Sequence, residues 1–173
     1  MADAGEPVEV YVAVGSNIEP ENNIPAALDL LRQTVEVTGV SSFYRSAALG
    51  RPGDPDFVNG AFRVRTALRP QELKEKVLRR IEAQLGRVRG ADRCAPRTID
   101  LDIALWGREV VDQPGLRIPS PDIARPFVAC PLLELAPDAV LPDTGQPLSS
   151  ACSEADRSRL APAVELTRRL KET

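Results

Sequence analysis

Four stretches of this chain carry the two-residue period of a half-buried strand, two carry a helical period, and their order leaves few folds to choose from. Residues 8–14 (VEVYVAV) alternate and are rich in β-branched types, which predicts a strand that stops at Gly15-Ser16-Asn17. After Glu19-Pro20 a helix is predicted, with Ile24, Leu28, Leu31 and Val35 on one face and Pro25 tolerated in the first turn. Residues 35–44 (VEVTGVSSFY) predict a second strand with a bulge or bend at Gly39, and residues 57–67 (FVNGAFRVRTA) a third. Pro70 opens a second helix, with Leu73, Val77, Ile81 and Leu85 on one side and Gly86 as its stop. Residues 98–106 (TIDLDIALW) alternate again and form the fourth strand. The order β-α-β-β-α-β is the ferredoxin-like split βαβ arrangement, an α+β fold with an antiparallel sheet and helices packed on one face. The Pro-rich remainder predicts a C-terminal extension: a small hairpin at 110–118, a short helix near 129–135 and a terminal helix near 160–170. The expectation is one domain over residues 1–173.

The chemistry open to such a chain is narrowed by what it lacks. Among 173 residues there are 22 Lys and Arg, 25 Asp and Glu, a net charge of −3, and no histidine. A Ser-His-Asp triad, a Cys-His pair, a histidine-bearing zinc site and an imidazole base are all excluded. Catalysis must run on carboxylates, arginines, bound metal or backbone amides. The only lysines are Lys74, Lys76 and Lys171, and no Gly-x-x-x-x-Gly-Lys-Ser/Thr occurs. A Schiff-base or phosphate-loop lysine is therefore not expected, and a nucleotide would be held without that loop. The slight acidity argues against a nucleic-acid partner.

Cys94, Cys130 and Cys152 are odd in number and far apart, with no C-x-x-C spacing. Neither a zinc knuckle nor a disulfide framework is expected, and a reducing compartment follows. The start, MADAGEPVEV, has no basic region leading into an apolar one, and no apolar run is long enough to span a bilayer. The expectation is a cytoplasmic monomer without membrane partners.

Residues two apart in a strand share a face, so Asp100 and Asp102 point the same way while Ile99, Leu101 and Ile103 point to the core. Their Cα atoms would lie about 6.5–7 Å apart. Two like charges on one face repel unless something cationic lies between them, and hard oxygens at that spacing suit Mg²⁺ with phosphate oxygens completing its shell. The other reading is the wet side of an amphipathic strand. Arg87, Arg89, Arg93 and Arg97 line the loop leading into this strand, and their planar forks suit phosphate. A surface where those arginines pair with Glu82, Asp92 and the two aspartates, or an RNA-binding surface, would use the same residues. On the third strand Phe57 and Asn59 share a face after a Gly- and Pro-rich loop. They could grip a flat heterocycle by stacking and edge hydrogen bonding, or be a core phenylalanine beside a turn asparagine. The Gly-Ser-Asn turn after the first strand is ordinary turn chemistry.

Together and in this order, these residues resemble the 6-hydroxymethyl-7,8-dihydropterin pyrophosphokinase family of folate biosynthesis. The likeness runs over residues 12–142 and rests on VAVGSN (12–17), VSSFYRSAALG (40–50), PDFVNGAF (55–62), IEAQLGRVR (81–89), APRTIDLDIALWG (95–107), IPSPDIARPFV (118–128) and PLLELAPD (131–138). PRTIDLDI at that distance from GRVR is the most specific element. The resemblance implies Mg-dependent transfer of pyrophosphate from ATP to the hydroxymethyl group of the pterin, giving AMP and the pterin diphosphate. It implies two Mg²⁺ ions at Asp100 and Asp102, and a catalytic set of those two residues with Arg87 and Arg97. Arg87, Arg97 and Arg125 would bind the nucleotide phosphates, with Glu82, Arg89, Ser120 and Pro121 also at the ATP site. Phe57 and Phe127 would sandwich the pterin, Asn59 would bond its edge, and Ser46, Ala47 and Leu49 would line its pocket. Residues 45–56 and 87–96 would be lids.

The chain departs from the family pattern in three places. Ser120-Pro121 stands where the family usually has His-Pro, Cys94-Ala95 where it has Trp-Gly, and Ala47-Ala48 where it has two prolines. Two alternatives stay open: the same transfer to a different heterocyclic alcohol, and a pterin- or nucleotide-binding module without turnover.

Overall fold

A computed structural model describes residues 5–46, 53, 55–92 and 95–173. Strands β1 (Val8–Ser16), β2 (Glu36–Val40), β3 (Tyr44–Ser46) and β4 (Phe57–Thr66) surround helix α1 (Pro20–Arg32) in sequence. A continuous helix follows in three parts: α2 (Pro70–Glu72), a π-helical segment (Leu73–Leu78) and α3 (Arg79–Gln84). Next come β5 (Asp100–Trp106), the hairpin β6 (Val111–Gln113) and β7 (Leu116–Ile118), and α4 (Pro126–Leu135). The chain ends with α5 (Glu154–Ser158), β8 (Ala161–Pro162) and α6 (Val164–Glu172). The main sheet is antiparallel in the order β5-β1-β4-β3-β8, with β2 also paired to β4. This is the expected α+β arrangement, and β5 lies at an edge.

Alternation along the strands sorts side chains onto two faces. Val10, Val12, Val14, Phe62, Leu101 and Ile103 point to the helix layer, where they meet Ile24, Leu28 and Leu31 of α1 and Leu73, Val77 and Ile81 of the second helix. The C-terminal extension adds Leu166 and Leu170 of α6 to that core. It also sends α4 across the other face, where Val128, Ala129, Leu132 and Leu133 pack with Ala61, Ala104 and Leu105. The second cluster covers only part of this face, and the rest is open as a cleft.

Two local expectations are corrected. The second strand is not continuous over 35–44. It breaks at residues 41–43, where Ser41 exchanges hydrogen bonds with Ala61 (backbone N to Ala61 O, 3.0 Å; Ala61 N to Ser41 Oγ, 2.8 Å) and Phe43 turns fully into the core. The bulge expected at Gly39 is present as a register shift between Val37 and Gly39. Pro25 lies within α1 rather than in its first turn, because the helix already starts at Pro20. Having no N–H, Pro25 leaves the Glu21 carbonyl without its helical donor, and Arg169 of α6 donates to that oxygen at 3.3 Å.

The cysteine expectation is also overturned. Cys130 of α4 and Cys152 form a disulfide across 22 residues, with Cα atoms 5.4 Å apart. Sequence spacing concealed it because α4 and the turn at Leu148–Ala151 come together only when the second core forms. The cysteines therefore no longer argue for a reducing compartment. No described helix is long and apolar enough to cross a membrane.

Candidate active site

Two rows of paired residues run across the middle of the sheet. Asn59 of β4 pairs with Gly15 of β1, which pairs with Asp100 of β5; one step along, Ala61 pairs with Ala13 and Ala13 with Asp102. All six side-chain positions face the cleft side, so glycine and alanine make a low floor between an amide on one flank and two carboxylates on the other. The floor must be low: a Cβ at position 15 would lie 2.8 Å from Asn59 Oδ1. The cleft above has a volume of about 830 Å³ and is walled by the loop before β5, the turn after β7 and the start of α4.

The carboxylate flank is dense in arginine. Asp100 accepts from Arg87 Nη1 at 2.6 Å and from Arg97 Nη1 at 3.0 Å. Behind them Glu82 of α3, only 2 % exposed, takes Arg87 at 2.8 Å and Arg89 at 2.5 Å, with Arg79 at 3.5 Å. The Leu101 backbone N–H also donates to Glu82, at 3.3 Å, which ties the helix to β5. Burial pushes the Glu82 carboxyl up to about 6; Arg87 opposes that rise and Asp100 adds to it. Asp102 accepts a hydrogen bond from Ser120 Oγ at 2.7 Å. It opens on the cleft but is flanked by protein on several sides. That desolvation, helped by the charges of Asp100 and Asp122, outweighs the Ser120 bond and holds its carboxyl above the ordinary range.

The opposite flank carries flat and amide groups. Phe57 pairs with Ser46 across β4 and β3, and Asn59 Nδ2 donates to Ser46 Oγ at 3.4 Å. The Arg97 guanidinium lies 5.9 Å from the Phe57 ring centre, and Arg125 lies at the same distance from Phe127 at the start of α4. Arg125 is also held by Asp122 at 3.0 Å. The cleft thus gathers Asp100, Asp102, Arg87, Arg89, Arg97 and Arg125 with Phe57, Asn59, Ser46, Phe127, Ser120 and Pro121. Glu82 stands behind its wall. Ala47, Leu49, Arg93 and Cys94 lie outside the described residues, as do parts of both expected lids.

Asp100 and Asp102 fit a hard divalent cation by donor chemistry and by the like charge they impose on each other. Among the described residues no group of three or more carboxylate, thiol or imidazole side chains could hold one. An ion held here would draw its remaining ligands from water and phosphate oxygens, which is the habit of Mg²⁺.

Ser16 and Asn17, read from sequence as plain turn residues, are buried and hold the arginine loop in place. Ser16 Oγ donates to Thr98 O at 2.6 Å, and Arg97 N donates to Asn17 Oδ1 at 2.7 Å. Their partners lie some eighty residues away, and nothing local in sequence points to them. Lys74 and Arg79, on the π-helical side of the cleft, are further lining residues that sequence reading passed over.

A model of the 7,8-dihydro-6-hydroxymethylpterin-pyrophosphokinase (HPPK) family matches residues 11–137. A protein of Pseudomonas aeruginosa named 2-amino-4-hydroxy-6-hydroxymethyldihydropteridine pyrophosphokinase is 46% identical over 138 residues, covering 78% of this chain and 84% of the relative. Proteins of the same name from Synechocystis sp. and Haemophilus influenzae are 39% and 41% identical. The first match covers 90% of this chain and 82% of the relative, the second 79% and 87%. The matched span runs from within β1 through the end of α4 and takes in both flanks of the cleft, and the chain belongs to the 7,8-dihydro-6-hydroxymethylpterin-pyrophosphokinase family and is a pyrophosphokinase.

Proposed function

We propose that this chain transfers the β,γ-pyrophosphoryl group of ATP to the hydroxymethyl oxygen of 6-hydroxymethyl-7,8-dihydropterin, giving AMP and the pterin diphosphate for folate biosynthesis. The observation that carries the reading is the pair of rows Asn59-Gly15-Asp100 and Ala61-Ala13-Asp102. They set a heterocycle grip and a carboxylate pair on opposite flanks of one floor, close enough for two substrates to meet over Gly15.

Each side chain then has a physical task. Phe57 and Phe127 stack on the pterin faces, and Asn59 reads the ring edge with an amide that offers both donor and acceptor. Arg87 and Arg97 carry fixed positive charge beside Asp100, and when a polyphosphate enters they are placed to exchange part of their carboxylate bonding for phosphate oxygens. Arg125 adds a third fork at the mouth. Asp100 and Asp102 would hold magnesium, which when bound supplies charge neutralisation for the phosphate chain. Phosphoryl-group transfer asks the protein for alignment and electrostatic stabilisation rather than covalent help, which suits a site without histidine. Ser120, where the family usually has histidine, bonds Asp102 and so fixes its carboxylate orientation.

The test is to incubate the purified chain with Mg-ATP and the pterin alcohol and to separate the nucleotides by chromatography. AMP is expected, in an amount that depends on both Mg²⁺ and the alcohol. Asp100→Ala and Asp102→Ala are each expected to lower turnover about a hundredfold or more, with unchanged circular dichroism. ADP as the sole nucleotide product, absence of turnover, or near-normal rates in either variant would overturn the reading.

A further inference from the structure

Almost every basic side chain around the cleft already has a carboxylate. Arg79, Arg87 and Arg89 share Glu82, Arg97 is held by Asp100 and Arg125 by Asp122, and Arg117 lies 3.6 Å from Asp112. Lys74 differs. It is half-buried, it lines the cleft, and among the described residues it has neither an ion-pair nor a hydrogen-bond partner for its ammonium group. Lys76 two residues on is largely exposed and pairs with Glu72 at 3.8 Å, so the contrast lies in position and not in residue type.

The backbone accounts for where Lys74 sits. The Arg79 N–H donates to the Lys74 carbonyl, an i→i+5 bond that makes this turn π-helical. One extra residue in the turn brings both Lys74 and Arg79 to the cleft while Leu73, Val77 and Leu78 stay in the core. Lys74 Nζ reaches toward the β6–β7 turn, where it would lie 3.8 Å from a Cβ at position 115, an ordinary contact distance. Its charge acts on Asp102, whereas the arginine cluster surrounds Asp100. A half-buried ammonium that feels Asp102 only at a distance, with no direct ion pair among the described residues, loses hydration for little pairing in return, which favours an anionic ligand at that spot.

On the reading of this cleft as a nucleotide site, on which this inference rests, we propose that Lys74 binds the α-phosphate of the nucleotide, and hence also the AMP product. A phosphate chain lying along Asp100 and Asp102 has the arginines at one end and Lys74 at the other. At the Lys74 end the cleft is backed, beside the edge of β5, by the core side chains Leu78, Ile103 and Leu116, an apolar base against which the nucleoside can rest. The phosphate nearest the nucleoside is the α-phosphate. Its oxygens gain charge when the bond between the β-phosphorus and the α,β-bridging oxygen breaks and that oxygen leaves with AMP. A cation there favours departure as well as binding.

Calorimetry with AMP and with magnesium α,β-methylene-ATP tests this in the wild type, Lys74→Met and Lys74→Arg. Met keeps the aliphatic stem and removes the charge. Both nucleotides are expected to bind Lys74→Met about tenfold more weakly and with a shallower salt dependence, while Lys74→Arg recovers most of the affinity and thermal unfolding is unchanged in both. Wild-type binding matched by Lys74→Met would overturn the assignment and leave the pyrophosphokinase reading standing. Weakening of the analogue without weakening of AMP would also overturn it, because the contact would then be to the β- or γ-phosphate. A wild type that binds neither nucleotide would remove the nucleotide site itself, and this inference with it.

Discussion

A carboxylate touched by three guanidinium groups would ordinarily stay ionised to low pH, yet burial pushes Glu82 up to about 6. At 2 % exposure the loss of hydration outweighs the arginines, of which Arg87 also divides its charge between Glu82 and Asp100. The folded chain therefore holds the Glu82 proton more tightly than the unfolded chain, whose group titrates near 4.5. Glu82 contributes stability that is fully present below that lower value and is lost as pH rises through about 6. Glu82→Gln cannot titrate but keeps an acceptor for the Leu101 N–H. Urea unfolding of both proteins at pH 4.5 and pH 7 should show the difference between them moving by roughly 2 kcal/mol against the wild type as pH rises. A difference that stays flat across that interval would mean that Glu82 does not gain a proton on folding in this way.

At the scale of elements, strand β4 depends on a glycine for volume rather than for backbone freedom. A Cβ at Gly60 would lie 2.6 Å from carbons of the Phe43 ring, which is fully buried and packs tilted against Phe62 with ring centres 5.8 Å apart. Gly60→Ala should cost about 1–3 kcal/mol in denaturant unfolding by overpacking. Adding Phe43→Leu should return part of that loss, a coupling that a double-mutant cycle measures. An alanine tolerated without loss would show that the ring moves aside freely. The same contact explains what was legible in sequence and what was not. Strands β1, β4 and β5 and the two helices could be read because their periodicity reports one buried face. The break between β2 and β3 could not, because the alternation of VEVTGVSSFY continues through it and only the glycine 17 residues downstream makes room for Phe43 to turn inward. The π-helical segment was hidden for a similar reason. Leu73, Val77 and Ile81 keep a spacing of four, and the inserted residue shows only in the burial of Leu78 and the cleft position of Lys74.

At the scale of the molecule, the Asp100 and Asp102 pair could be read locally because both lie on one strand. What surrounds them comes from tertiary structure: Ser16 and Asn17 pinning the arginine loop, Ser120 reaching Asp102, and α4 carrying Phe127 to the far wall. That last placement rests on packing in the second core and on the Cys130–Cys152 link. Both sulfurs are buried in the second core, and the bond fastens the middle of α4 to the segment after Leu148–Ala151. Closing a loop of 22 residues restricts the unfolded chain by about 3 kcal/mol in the chain-entropy account. Reduction should therefore lower the urea midpoint of the wild type by a corresponding amount. The double variant Cys130→Ala/Cys152→Ala should unfold near the reduced midpoint and ignore reductant, and because it retains Cys94 it separates this bond from any effect at that residue. Since α4 begins with the Phe127 wall, loss of the link should raise KM for the pterin alcohol more than it lowers kcat: Asp100, Asp102, Arg87 and Arg97 are fixed through β5 and α3, which the disulfide does not touch. Equal midpoints with and without reductant, or a double variant that still responds to it, would show that packing alone holds α4 in place.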